Sequence, residues 1–143
     1  MKVFICAFGG FYAAVPMDRV ASLTDLSDQH SAAQNAVVVR DTETYVSLPL
    51  LLNLPHEKLR HGIVLKTPGD DENKIVLLST EVVNTGEINP EKIHPIPNAL
   101  RGTRFSELFG GMQCAAEATR DAGLVLMLDT ERVIQYARQE AAE

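Results

Sequence analysis

The chain is assembled from short apolar runs of strand length, each stopped by glycine, proline or acidic residues before a helix could be completed. VFICAF (residues 3–8) ends at Gly9-Gly10, a doublet that supplies the positive φ angles of a two-residue hairpin, and a second strand follows at 11–15 until Pro16 ends it. AVVVR (36–40) and TYVSL (44–48) flank the polar Asp41-Thr42-Glu43, and HGIVLK (61–66) and KIVLLS (74–79) flank TPGDDEN. Runs of this length bounded by turn formers are strands, because a helix needs about ten or more residues of 3.6-residue periodicity. MDRVASL (17–23) is expected to be a third short strand with Met17, Val20 and Leu23 facing inward, and EVVNTGEI (81–88) a later one. Nine or ten such strands with repeated hairpin signals predict a mainly β, closed or nearly closed architecture.

Helical signals are few. Pro49 opens LLLNLP as a short helix, since proline is suited to the first turn, and Asn53 or Pro55 ends it. The polar stretch 24–35 is expected to be loop with at most one helical turn. IHPIPNAL (93–100) spaces Pro95 and Pro97 one residue apart, which forces an extended connector. Residues 101–123 are open: MQCAAEATRDAG is readable as an alanine-rich helix or as a strand and a loop. LVLML (124–128) is an apolar strand, with Asp129 or Thr130 placed to cap a helix over 130–141 whose apolar stripe is Val133, Ile134 and Ala137.

The 143 residues suffice for one domain, or two small subdomains sharing a core, and the whole of 1–143 reads as a single unit. Tryptophan is absent, so Val, Leu, Ile and Ala must fill the interior. A net charge of −6, with no basic stripe and no aromatics interleaved with Lys or Arg, argues against nucleic acid and against anionic lipid. No segment reaches the ~18 apolar residues of a membrane span, and VFICAF is too short for a signal-peptide core, so a soluble cytoplasmic protein is expected.

No catalytic set emerges. Cys6 (ICAF) and Cys114 (MQCAA) sit in apolar contexts and read as buried structural thiols rather than nucleophiles or a disulfide. His30, His56, His61 and His94 show no zinc spacing, and Asp70-Asp71-Glu72 lacks the ligand alternation of a calcium loop. Gly9-Gly10 and Gly110-Gly111 are doublets without a phosphate-binding pattern, better read as hairpin turns or close backbone approaches. No cofactor and no metal is expected. Arg40 differs in kind: it ends an apolar strand beside Asp41 and Glu43, either snorkelling to water or serving as an arginine anchor at a protein interface.

Three segments, in order, resemble the CheW-like domain of bacterial chemotaxis signalling. FGGFYAAVPMDRVASL is similar to that family's first hairpin, through Val15, Pro16, Met17, Val20 and Leu23, with Ser22 where the family has an acidic residue. IHPIPNAL resembles its I-x-P-x-P-x-x-L connector at Ile93, Pro95, Pro97 and Leu100. LVLMLDTERVI resembles its strand-to-helix ending through Leu124 to Leu128, Asp129, Arg132 and Ile134. The family's L-R-G turn and I-P-V-V-D-L run correspond to VVVRDTETYVSLPLLL, where Arg40 fits the arginine, Asp41 replaces the glycine and Ser47 the aspartate. The stretch after Phe109 departs from the family's usual strand.

The resemblance implies two small five-stranded SH3-like β-barrel subdomains sharing an apolar core, with short helices and a C-terminal helix. It implies a non-catalytic adaptor coupling a chemoreceptor cytoplasmic tip to the regulatory domain of a CheA-type histidine kinase. It also implies a partner-binding role for Arg40, with its neighbours Val39 and Asp41. The alternatives are a β-barrel regulatory or protein-binding module outside chemotaxis, or an enzyme with Cys6 or Cys114 as nucleophile.

Overall fold

The structure is a computed structural model that describes residues 2–8, 11–25, 36–40, 42–52, 61–67, 74–88, 91, 93–95, 107–114 and 124–142. The chain begins with β1 (Lys2–Ala7) and β2 (Tyr12–Pro16), paired antiparallel from Ala7↔Tyr12 outward. Phe8 N–H donates to Phe11 O at 3.0 Å, closing the predicted hairpin beyond β1 and β2, while Gly9-Gly10 lie outside the described residues. Stacking of Phe8 on Phe11 and the edge-on contact of Phe11 with Phe109 fix its mouth.

After Pro16 a 3₁₀ turn (Met17–Arg19) carries the chain into a second sheet, which holds β3 (Val20–Asp25), β4 (Val37–Arg40), β5 (Glu43–Ser47), β6 (His61–Leu65) and β7 (Lys74–Ser79). The one-turn helix α1 (Leu48–Leu51) follows β5 directly; Ser47 Oγ accepts from Leu50 N–H and Pro49 sits in the first turn. The chain then returns to the first sheet for β8 (Glu81–Glu87), β9 (Phe109–Cys114) and β10 (Leu124–Leu128), and closes with helix α2 (Thr130–Ala142). The open stretch 101–123 is therefore a strand over 109–114, and Asp129 takes the N-cap, its Oδ1 accepting from Arg132 N–H at 3.3 Å.

Among the described residues the strands form two five-stranded sheets, in the orders β8-β1-β2-β10-β9 and β3-β6-β7-β5-β4. No ladder there joins β8 to β9 or β3 to β4, so among the described residues the sheets are not closed into the expected barrels and each has two edge strands. Each sheet contains one parallel ladder, β2 with β10 and β5 with β7. Hairpin signals could not reveal these, because each joins strands far apart in sequence.

The shared core is where the apolar runs predicted it. Alternate residues of the first sheet (Cys6, Ala13, Val15, Leu126) meet alternate residues of the second (Val46, Ile63, Leu65, Leu77), and α2 adds Val133, Ile134 and Ala137. The intervening residues do not face water. Val3, Ile5, Ala14, Val125 and Met127 form a second cluster, and Tyr45, Val76 and Leu78 a third. Burial on both faces is why the strands read as unbroken apolar runs instead of alternating patterns.

Three expectations need correction. Leu23 is 45% exposed, because β3 is an edge strand paired only with β6 and five of its six residues are exposed. Met17 lies in the 3₁₀ turn, not in a strand. Gly110-Gly111 is no turn, and the alternative reading, a close backbone approach, holds at Gly111: both glycines belong to β9, and a Cβ on Gly111 would stand 2.5 Å from Ile93 Cγ2 and 2.9 Å from the His94 carbonyl oxygen. The connector is non-helical where described, at Ile93, His94 and Pro95; Pro97, Asn53, Pro55, and residues 26–35 and 68–73, where a loop and a turn were expected, lie outside the described residues.

Candidate protein-binding surface

Two large apolar side chains are conspicuously exposed among the described residues, Leu23 at 45% and Val39 at 51%. Both belong to the second sheet, and each lies on one of its two edge strands. Burying such a side chain against a partner recovers roughly 25 cal/mol per Å² of apolar area, which is the basis of most protein association.

Val39 is held by the β4–β5 hairpin. The register runs Val37↔Val46, Val38↔Tyr45, Val39↔Thr44 and Arg40↔Glu43, so Glu43 has joined the strand and two residues separate the last pair. Arg40 occupies the last position of β4, directly across from a carboxylate-bearing residue. Tyr45 Oη donates to Glu43 Oε2, which fixes that acidic side chain on the hairpin. Of the three nominated residues, the structure thus places Val39 on an exposed edge and Arg40 beside it; Asp41 lies outside the described residues.

A cleft of about 400 Å³ opens where the first crossover meets the start of α2, with Pro16, Ile93, Met127 and Leu128 as apolar walls. Gly110 contributes no side chain there, and a Cβ on it would meet nothing within 4 Å. Arg19 and Glu131 pair across its rim at 3.5 Å (Nη2 to Oε1), both largely exposed, so the pair orients the rim more than it stabilises the fold. The sequence reading missed this cleft and Leu23. Leu23 left no local signal, because whether a strand is an edge is decided by the rest of its sheet.

Cys6 is a free, fully buried thiol, and burial pushes its pKa up to about 12, so it is held as the unreactive thiol rather than the thiolate. No group of three or more His, Cys, Asp or Glu is placed to hold a metal among the described residues. His61 lies in β6 and His94 is exposed in the connector, far from any set; His30, His56 and the run Asp70-Asp71-Glu72 lie outside the described residues. No described helix is long and apolar enough to cross a membrane.

Two five-stranded sheets around a common core, ending in a helix that packs into it, define a CheW-like fold. The crystal structure of the scaffolding protein TtCheW from Thermoanaerobacter tengcongensis superposes with a TM-score of 0.65, covering 90% of this chain and 83% of that one at 12% identity. At that identity the likeness speaks for the fold. No family model matches the sequence, and no curated protein does.

Proposed function

We propose that this protein is a divergent, non-catalytic CheW-like adaptor, acting in the cytoplasm to couple a chemoreceptor tip to the regulatory domain of a CheA-type histidine kinase. The single observation that carries this reading is the superposition on a scaffolding protein over nine-tenths of the chain. The exposed Leu23 and Val39, on opposite edges of one sheet, support it as two separate contact points. In this reading residues 1–143 act as one domain, each sheet curls barrel-fashion about its own cluster, and Val39, Arg40 and Asp41 form part of a partner surface. Holding two partners on one rigid body raises their effective concentration toward each other; no bond is made or broken.

The test is a bridging experiment with purified components. A kinase regulatory domain and a receptor cytoplasmic hairpin should co-elute only when this protein is present. Binding to neither one would remove the chemotaxis assignment and leave a protein-binding module of another pathway.

A further inference from the structure

Among the described residues the two sheets have four edge strands, and three of them are interrupted. The ladder of β8 shifts register between Ile5 and Cys6 of its neighbour, that of β9 between Met127 and Leu128, and that of β3 between Val20 and Ser22. Such bulges twist an edge and spoil it as a template for another strand. The fourth edge, β4, pairs in unbroken register along its whole length. It carries Val37, Val38 and Val39, none of them buried, with no proline or lysine among them. Proline and lysine are two devices by which proteins protect an open edge and a covering helix is a third; α2 packs against β4, yet Val39 remains 51% exposed.

The polarity of that edge follows from the register. Ser47 N–H donates to Ala36 O at 2.8 Å, and the two-residue spacing makes Arg40 and Glu43 a hydrogen-bonded pair. Hydrogen-bonded positions alternate, so Val38 and Arg40 face β5, while Val37 and Val39 direct both N–H and C=O outward. Among the described residues no strand pairs with that outer side.

We propose that β4 binds its partner by strand addition, the outward groups of Val37 and Val39 pairing with an extended, β-branched segment of the kinase regulatory domain. This rests on the adaptor reading and specifies how its surface works. A second copy of the chain is the poorer occupant. A four-residue edge is about 13 Å long, too short to bury the roughly 800 Å² per partner of a stable interface by itself, and two chains of charge −6 repel. A partner with further contacts elsewhere on the surface, next to Val39 and Arg40, supplies the remaining area.

Val39→Pro is the diagnostic variant. It removes one outward N–H while the bonds of Val38 and Arg40 to β5 stay in place, and edge positions of this kind tolerate proline. Affinity for the purified kinase regulatory domain should fall roughly tenfold or more. Because the variant could lose its fold, amide exchange on the wild-type protein supplies the second measurement. In the free protein Val38 and Arg40 should be protected and Val37 and Val39 should exchange freely; on binding, the latter two should slow by roughly tenfold. Wild-type binding without that protection, or an unchanged affinity in a folded Val39→Pro protein, overturns strand addition alone. Failure of the wild type to bind at all overturns the adaptor reading and this inference together.

Discussion

The carbonyl oxygen of Ala7 accepts two hydrogen bonds from Thr80, one from its backbone N–H and one from its hydroxyl, each at 2.9 Å. Thr80 stands where the chain leaves β7 in one sheet for β8 in the other, so this double bond pins the crossover to the end of β1. Thr80→Val keeps the shape and the N–H bond but deletes the hydroxyl. The expected loss is about 1 kcal/mol, or about 3 °C in Tm, measured by thermal unfolding. A loss beyond about 3 kcal/mol would mean that the crossover depends on the side chain alone.

The preceding residue should behave in the opposite way. Ser79 is fully buried at the end of β7, and its Oγ has no hydrogen-bond partner among the described residues. A hydroxyl desolvated without a hydrogen bond is a net cost. Ser79→Ala should therefore leave stability unchanged or raise it by about 1 kcal/mol. If denaturant titration gave a clear loss, the hydroxyl would have a bonding partner in solution.

The two adjacent glycines of β9 make a paired test of packing. Gly111→Ala forces a Cβ against Ile93 and the His94 carbonyl, one of them backbone that cannot swing aside, and should cost about 1–3 kcal/mol. Gly110→Ala enters open space and should stay within about 0.5 kcal/mol of wild type. Equal losses at both positions would contradict the close approach of the connector to β9.

Burial of Cys6 has a pH signature. Its thiol is pushed up to about 12 in the folded protein, against about 8.5 in an unfolded chain. Below pH ~8.5 both states hold the proton, and this group's stabilising contribution is fully present. As pH rises from there toward about 12 the unfolded state loses its proton first, so stability falls through that window. At pH ~8 an alkylating reagent should leave Cys6 untouched until denaturant is added. Rapid labelling of the native protein at Cys6 would reopen the nucleophile alternative.

How much of this was readable beforehand depends on the range of each interaction. The hairpins β1–β2, β4–β5 and β6–β7 were legible because the turn and both strands lie in one short stretch, as with VFICAF-GG-FYAAV. The stripe of Val133, Ile134 and Ala137 was legible because helical periodicity is also local. The parallel ladders β2–β10 and β5–β7 were not, since nothing in Tyr12 to Pro16 encodes a mate more than a hundred residues away. Leu23 was misjudged for the same reason: whether a strand is an edge is decided by the rest of the sheet. That Val39 lies on an exposed edge strand left no local signal either, and the cleft around Gly110 is made by four distant segments and left no local trace.

Arg40 is the remaining position, and a single charge reversal would not isolate its role. Arg40 lies opposite Glu43, so Arg40→Glu sets two carboxylates directly across the hairpin, which costs up to about 1 kcal/mol by itself. Arg40→Gln removes the cation without that repulsion. If Arg40 contacts a partner, both variants should weaken binding of a kinase regulatory domain or receptor hairpin, by about tenfold or more for the reversal. Only Arg40→Glu should lower Tm, by about 3 °C or less. Unaltered affinity in both variants, by calorimetric titration, would take Arg40 off the surface and leave its position next to Glu43 as an ordinary strand-end pairing.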